Sequence, residues 1–242
     1  WVLTIFVPAA TMRLIAEEQR DGTIEILLTQ PIRAVGVLFS KFSAGLIFVL
    51  IGVTFTIGLP LSLMTAGPLD VGAVVAQYIG TIFLTASLVS IGLFASSLTR
   101  NQVVAFMTAL SLTMLLMLAG LPLVTLALPK GAAVLVQGLS PLTHYAGIAR
   151  GVLDLRDILY FISIISVFLS GTYLGFRGKT VSHRSSAYLN LQLGVAGLVF
   201  VSLLIGWFGG EIRGRWDLTE EKLYTLSSPA QELLSNLDDI IT

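Results

Sequence analysis

The sequence predicts an all-α polytopic membrane protein, and three observations predict it. Of its 242 residues, 55% are apolar and 12% charged, with a mean hydropathy of +0.90, whereas soluble proteins carry about 25% charged residues. A chain of this length cannot hide so much apolar surface inside a soluble core, so lipid is its solvent. The apolar residues also fall in runs close to the roughly 20 that a bilayer core requires of a helix, at 42–66, 72–98, 102–128, 158–176 and 188–208. Backbone polar groups cannot be left bare in hydrocarbon, so these runs must be helical.

Taken in order, residues 1–12 read as the end of a sixth helix. Trp1 already lies inside an apolar run and Ile240-Ile241-Thr242 resembles a strand just beginning, so the chain reads as a fragment open at both ends, with no legible cleavable signal. Gly58-Leu59-Pro60 and Gly120-Leu121-Pro122 predict kinks, although both residue types are common in membrane helices. Residues 129–157 are too polar and broken to span. Ser140-Pro141 is a helix start with Pro in the first turn, and Leu142, Tyr145, Ala149 and Val152 follow at near-helical spacing. This reads as a short amphipathic or re-entrant helix, with Asp157 capping the next span. Beyond Gly210 the tail holds seven acids against three bases. Asp217 with Glu220, and Ser228 with Gln231, have capping-box spacing, and Ala230, Leu233, Leu234 and Leu237 form one apolar face. The tail is thus expected to open a soluble domain.

Lys and Arg orient the spans. Arg13, Arg20, Arg33 and Lys41 share one loop, Arg100 marks a short turn, and Arg177, Lys179 and Arg184 cluster in a third connection. Helix parity puts all three on one side, which the positive-inside rule makes cytoplasmic. The loop near Gly67-Pro68, residues 129–157 and the acidic tail then lie outside, with Arg150 and Arg156 offset by Asp154 and Asp157.

The loop 13–41 is the unusual part of the chain. It holds four bases and four acids between nearly uncharged flanks, and a chain reversal needs no such structure. Gly22 can end one turn and Pro31 stops the next helix. Between them Ile24, Leu27, Leu28 and Pro31 recur at i, i+3, i+4 and i+7, with Glu25 opposite. Such a helix cannot bury its apolar face alone. Two readings stay open: a docking helix that enters a groove on a cytoplasmic partner, or an interfacial helix lying on lipid.

Other motifs carry less. Gly178-Lys179-Thr180 looks like the end of a phosphate-binding loop, but the Gly required five residues earlier is Tyr173. His144 has no ligand partner at metal spacing and reads as a hydrogen-bonded interfacial histidine; His183 reads as solvated among the linker bases. Ser96, Ser97, Ser111 and Thr113 suit interhelical hydrogen bonds or caps, or alternatively the lining of a substrate path. No ionisable residue sits mid-span, which counts against ion-coupled carriers. Cysteine is absent, excluding disulfides and thiolate chemistry. The formal net charge is zero, and no basic field for nucleic acid is present.

Three stretches carry a family resemblance: Met12 through Pro31, Gly92 through Gln102, and Ser140 through Tyr145 with Arg150 through Asp157. Together they resemble type-2 ABC transporter permeases of the gliding-motility type, similar also to the permease of nitrous-oxide reductase maturation. The tail run Arg215 through Ser227 resembles the start of the gliding-type partner, which has one membrane helix and an extracytoplasmic domain. The resemblance implies a permease helical bundle over 1–177 lacking its first helix, a cytoplasmic linker at 178–187, an additional transmembrane helix at 188–208, and the beginning of an extracytoplasmic α/β domain at 209–242. It implies a multi-pass protein of the bacterial cytoplasmic (inner) membrane, acting as an exporter subunit, a homodimer or pseudo-dimer, and not itself an enzyme. ATP and Mg would be bound by a separate cytoplasmic ABC ATPase, with no cofactor in this chain. That ATPase would dock on a coupling helix through Glu17, Glu18, Arg20, Gly22, Thr23, Glu25 and Leu28. The alternative is a multi-helix membrane anchor, or a signalling or mechanical-coupling component, for the extracytoplasmic domain.

Overall fold

A computed structural model describes residues 1–31, 33–180, 189, 190, 192–197, 199–201, 214–220, 222 and 224. Helix α1 (Val2–Thr11) is followed after Met12 by α2 (Arg13–Arg20) and α3 (Thr23–Thr29). Next come α4 (Ala34–Thr54), a 3-10 turn at Phe55–Ile57 and α5 (Gly58–Met64). Two antiparallel helices follow, α6 (Val71–Leu98) and α7 (Gln102–Leu118). Three short helices, α8 (Pro122–Leu126), α9 (Lys130–Gly138) and α10 (Pro141–Ile148), lead to strand β1 (Val152–Asp154). The long α11 (Leu155–Thr180) follows, and β2 (Arg215–Asp217) pairs antiparallel with β1.

The fold is an all-α membrane bundle built around α6, which packs against α1, α2, α4, α7, α10 and α11. At 28 residues α6 extends about 42 Å, enough to cross a bilayer core. Among the described residues, Ala34–Met64, Val71–Leu98 and Leu155–Gly178 are long and apolar enough to span. Most of α6 is buried, whereas the Ala34–Met64 stretch buries only Val37, Leu38 and Val49 of its apolar side chains and leaves more than half of the rest exposed, as a lipid solvent permits. Small residues let the helices close. A Cβ on Gly92 of α6 would fall 2.0 Å from Thr11 Oγ1 of α1, so this crossing depends on a missing side chain.

Two expected spans differ. The run 102–128 is not one helix: α7 stops at Leu118, at 17 residues about 26 Å and short of a bilayer core. The cause is Pro122, which starts α8 at its first position and holds Leu121 extended. The span expected from residue 42 begins at Ala34 instead, because Lys41 lies inside α4 and finds partners there. The expected kink at Gly58-Leu59-Pro60 is the 3-10 turn just before it. Residues of the 188–208 run are helical at 189, 190, 192–197 and 199–201; the rest of that run, the linker 181–187 and the Ser228/Gln231 spacing lie outside the described residues.

At the Val71 end of α6, Ser140 caps α10 through a bond from Leu142 N–H, as its sequence predicts. Asp157 does not cap α11. It lies in the first turn, where its Oδ1 meets His144 Nδ1 at 2.7 Å. His144 Nε2 faces the Gly138 carbonyl at 3.1 Å, and its ring stacks on Tyr160. Asp217 likewise forms no capping box with Glu220. Its Oδ1 accepts from Thr219 N–H and its Oδ2 from Tyr224 N–H, making a turn at the end of β2. Arg215 bridges to Asp154 at 3.0 Å, and this hydrogen bond, then the charge itself, raises the guanidinium pKa above its ordinary value.

Candidate functional site

The charged loop folds into an elbow at the Leu98 end of α6. Helix α2 presents Ile15, Ala16 and Gln19 inward and Arg13 and Arg20 outward. Its first turn has backbone N–H groups with no helical partner, and a side chain from another helix supplies one. Ser96 Oγ accepts from Ile15 N–H at 3.1 Å and Ala16 N–H at 2.9 Å, and donates to the Met12 carbonyl at 3.0 Å. One hydroxyl thus caps α2 and fixes the junction with α1. Four residues on, Gln19 Nε2 donates to the Ser97 carbonyl at 2.8 Å, near the end of α6.

A third tie comes from α4. Lys41 Nζ reaches Glu18 Oε1 at 2.5 Å and the Leu14 carbonyl at 2.7 Å. Glu18 Oε2 is buried without a hydrogen-bond partner, so Lys41 is the counter-charge that holds this carboxylate in place. Gly22, at φ +74°, makes the left-handed turn between α2 and α3, a conformation that costs Gly nothing. Gln30 is extended before Pro31 and ends α3.

The sequence-derived site residues divide accordingly. Glu17, Arg20, Thr23 and Glu25 lie on the outer side of the elbow: Arg20, Thr23 and Glu25 are exposed and Glu17 half-buried, with Arg20 paired to Asp21 at 3.0 Å and approaching Glu17 at 3.8 Å. Gly22 shapes the turn. Glu18 points inward to Lys41 and is not available as a free docking charge. The apolar face of α3 is used in part internally: Ile24 is buried in the core and Leu27 packs against it, while Pro31 at the end of that face is exposed. Leu28 lies within α3.

Sequence reasoning missed Lys41 and Gln19. Lys41 was legible as a single cation eight residues into an otherwise apolar helical run, and Gln19 as the residue four after Ile15 on the same face. Ser96 and Thr113 are the interhelical hydrogen-bonding residues expected, Thr113 reaching the Thr4 carbonyl at 3.4 Å; Ser111 is exposed. His144 has one ring nitrogen on Asp157 and the other on Gly138, leaving no lone pair for a metal. Gly178-Lys179-Thr180 is the last turn of α11, not a strand-to-helix loop. Toward the Val71 end, the bend at Phe55–Ile57 leaves a cleft of about 430 Å³ against α6. It has Thr56 and Tyr78 hydroxyls 3.0 Å apart, Gln77 and Asp70 on its wall, and Leu59 and Leu63 opposite.

A family model described as ABC-2 family transporter protein matches residues 2–207. No curated protein and no solved structure matches the chain. The match covers most of the sequence and runs past residue 177 over the segment assigned to the additional helix. The chain belongs to the ABC-2 transporter family, and is a membrane permease subunit of an ABC transporter.

Proposed function

We propose that the elbow of α2 and α3 is the surface on which a separate cytoplasmic ABC ATPase docks, and that the assembly exports its substrate across the bacterial inner membrane. The observation that carries this reading is the contrast between the two sides of the elbow. Its inner side is tied to α6 and α4 by Ser96, Gln19 and Lys41, while its outer side presents Glu17, Arg20, Asp21, Thr23 and Glu25. A surface on such a mount passes an applied displacement to the bundle instead of absorbing it. Positive-inside parity supports a cytoplasmic position for the Leu98 end. The lack of ionisable residues mid-span favours drive by a partner's ATP hydrolysis over ion coupling. Docking energy at the elbow would bias an inward-facing against an outward-facing state. Pairing of two permeases, and a gliding-type tail on the outer side, complete the reading.

The test is co-expression of the full-length protein with its cognate ATPase, comparing wild type with Glu17→Lys/Glu25→Lys. Glu18 is left intact because its loss would disturb the mount. Association is expected to weaken on the order of tenfold and to change its salt dependence, with thermal stability preserved. Unchanged association and ATP turnover would reject the elbow as the docking surface.

A further inference from the structure

Residues 214–220 lie across the Val71 end of the bundle and touch α6, β1 and α11 there. Leu155 N–H donates to the Gly214 carbonyl at 2.8 Å and Leu218 N–H to the Gly151 carbonyl at 2.9 Å, closing the β1–β2 ladder at both ends. Glu220 N–H reaches Asp70 Oδ1 at 3.4 Å, on the carboxylate that also caps α6 through Ala73 N–H. Thr219 is buried and Leu218 packs against the core.

The seat is cut into the bundle by two glycines. A Cβ on Gly72 would fall 1.7 Å from the Leu218 carbonyl oxygen, and one on Gly151 would fall 2.5 Å from Thr219 Cγ2. Gly151 has φ +92° and would need Gly on backbone grounds alone. Gly72 has no such need. It is an ordinary residue in the first turn of α6, where Ala is the better helix former. The nearest obstacle to a side chain at position 72 is the Leu218 backbone, its carbonyl oxygen at 1.7 Å and carbon at 2.7 Å, with Asp70 Oδ1 next at 3.2 Å. The same end of the bundle presents β1 as a strand edge and Asp154 as a counter-charge for Arg215.

From this we infer that the Val71 end of the permease is an acceptor site for an extended peptide strand, occupied in cis by residues 214–220, which seats that segment on β1 and on the first turns of α6 and α11. Recognition is by strand addition to β1, with one ion pair, one buried threonine and a glycine-floored groove for the Leu218 backbone. The site stands whether or not an ATPase docks at the elbow, so its test involves no ATPase.

These 242 residues hold no cysteine, and with any cysteine elsewhere in the full-length protein replaced by serine, disulfide trapping is specific. Full-length protein in native membranes carrying Asp154→Cys/Arg215→Cys, register partners whose side chains already touch, is exposed to mild oxidant and the initial rate of intramolecular cross-linking is read on a non-reducing gel. Rapid monomeric cross-linking is expected. Adding Gly72→Ala should slow it on the order of tenfold, since a backbone contact at this distance cannot be relieved by a rotamer change. Adding Gly36→Ala, a helical glycine with nothing within 4 Å of its Cβ position, should leave the rate unchanged and shows that a Gly→Ala change alone does not matter. No cross-link in the parent pair, or equal rates in the Gly72→Ala and Gly36→Ala backgrounds, would overturn the proposal.

Discussion

Replacing Ser96 by Ala tests whether the elbow is mounted as described. The change removes one buried oxygen that accepts from two N–H groups, those of Ile15 and Ala16, and donates to the Met12 carbonyl. Both residues are fully buried, so water cannot replace the hydroxyl. A buried donor left unpaired costs about 1–3 kcal/mol. With both donors sharing one acceptor, the loss is about 2–4 kcal/mol, partly relieved if the first turn of α2 loosens. That relief is the readout. Local opening of α2 should become roughly 30- to 700-fold more frequent at ten-fold per 1.4 kcal/mol, visible as faster amide hydrogen exchange in a peptide covering residues 13–20. A peptide from the Val71 half of α6 serves as the internal control. Exchange of α2 unchanged within about a factor of two would refute the reasoning, because such donors cannot be lost without loosening the helix they begin.

Three further changes probe the same packing. Gly92→Ala places a Cβ 2.0 Å from Thr11 Oγ1 and is expected to lower stability by about 1–3 kcal/mol through overpacking, read as a drop in Tm in detergent, whereas Gly36→Ala should be neutral or slightly stabilising. Lys41→Met leaves Glu18 without its counter-charge; the 3–5 kcal/mol typical of a broken buried pair is reduced to about 1–3 kcal/mol because Glu18 is 34% exposed, and a double-mutant cycle with Glu18→Gln should recover part of it as coupling. His144→Ala strands the Asp157 carboxylate, 10% exposed, and should cost about 3–5 kcal/mol. Asp157→Asn should cost less, because the Gly138 carbonyl obliges Nε2 to donate and an amide can donate to the remaining Nδ1; equal Tm losses for the two variants would refute this assignment of protons.

The membrane bundle was legible because its signals are local and strong. The α6 span came within one residue of its observed start, since Asp70, a capping residue, stands immediately before an unbroken apolar run. Gly22, Pro31 and Ser140-Pro141 were legible for the same reason: each acts on its own backbone. What stayed hidden depends on partners distant in sequence. Glu17 and Glu18 are adjacent and chemically alike, yet one lies on the outer side of the elbow and the other meets Lys41, 23 residues away. The apolar stripe of α3 was visible, but whether it faces a partner, lipid or its own bundle is decided by packing, and Ile24 enters the core. The α7 break had a local signal in Pro122 that was outweighed by continuous hydropathy. The pairing of β1 with β2 joins residues about 60 apart, and no pattern in either three-residue strand announces the other.

The placement of these features on α6 bears on how a push at one face of the membrane reaches the other. The elbow is bonded to the Leu98 end of α6 through Ser96 and the Ser97 carbonyl, and the 214–220 segment and α10 rest on its Val71 end. Between those ends α6 contains no proline and no 3-10 turn, so it must translate or tilt as one body about 42 Å long. The neighbouring path through α4 is different. It is also tied to the elbow, by Lys41, but it is interrupted at Phe55–Ile57 before α5, where a change of helix type gives the chain a place to bend. The cleft lined by Thr56, Tyr78 and Leu59 lies between the unbroken helix and the interrupted one. A displacement of the elbow would therefore reach both walls of the cleft by unequal routes, stiff on the α6 side and compliant on the α5 side.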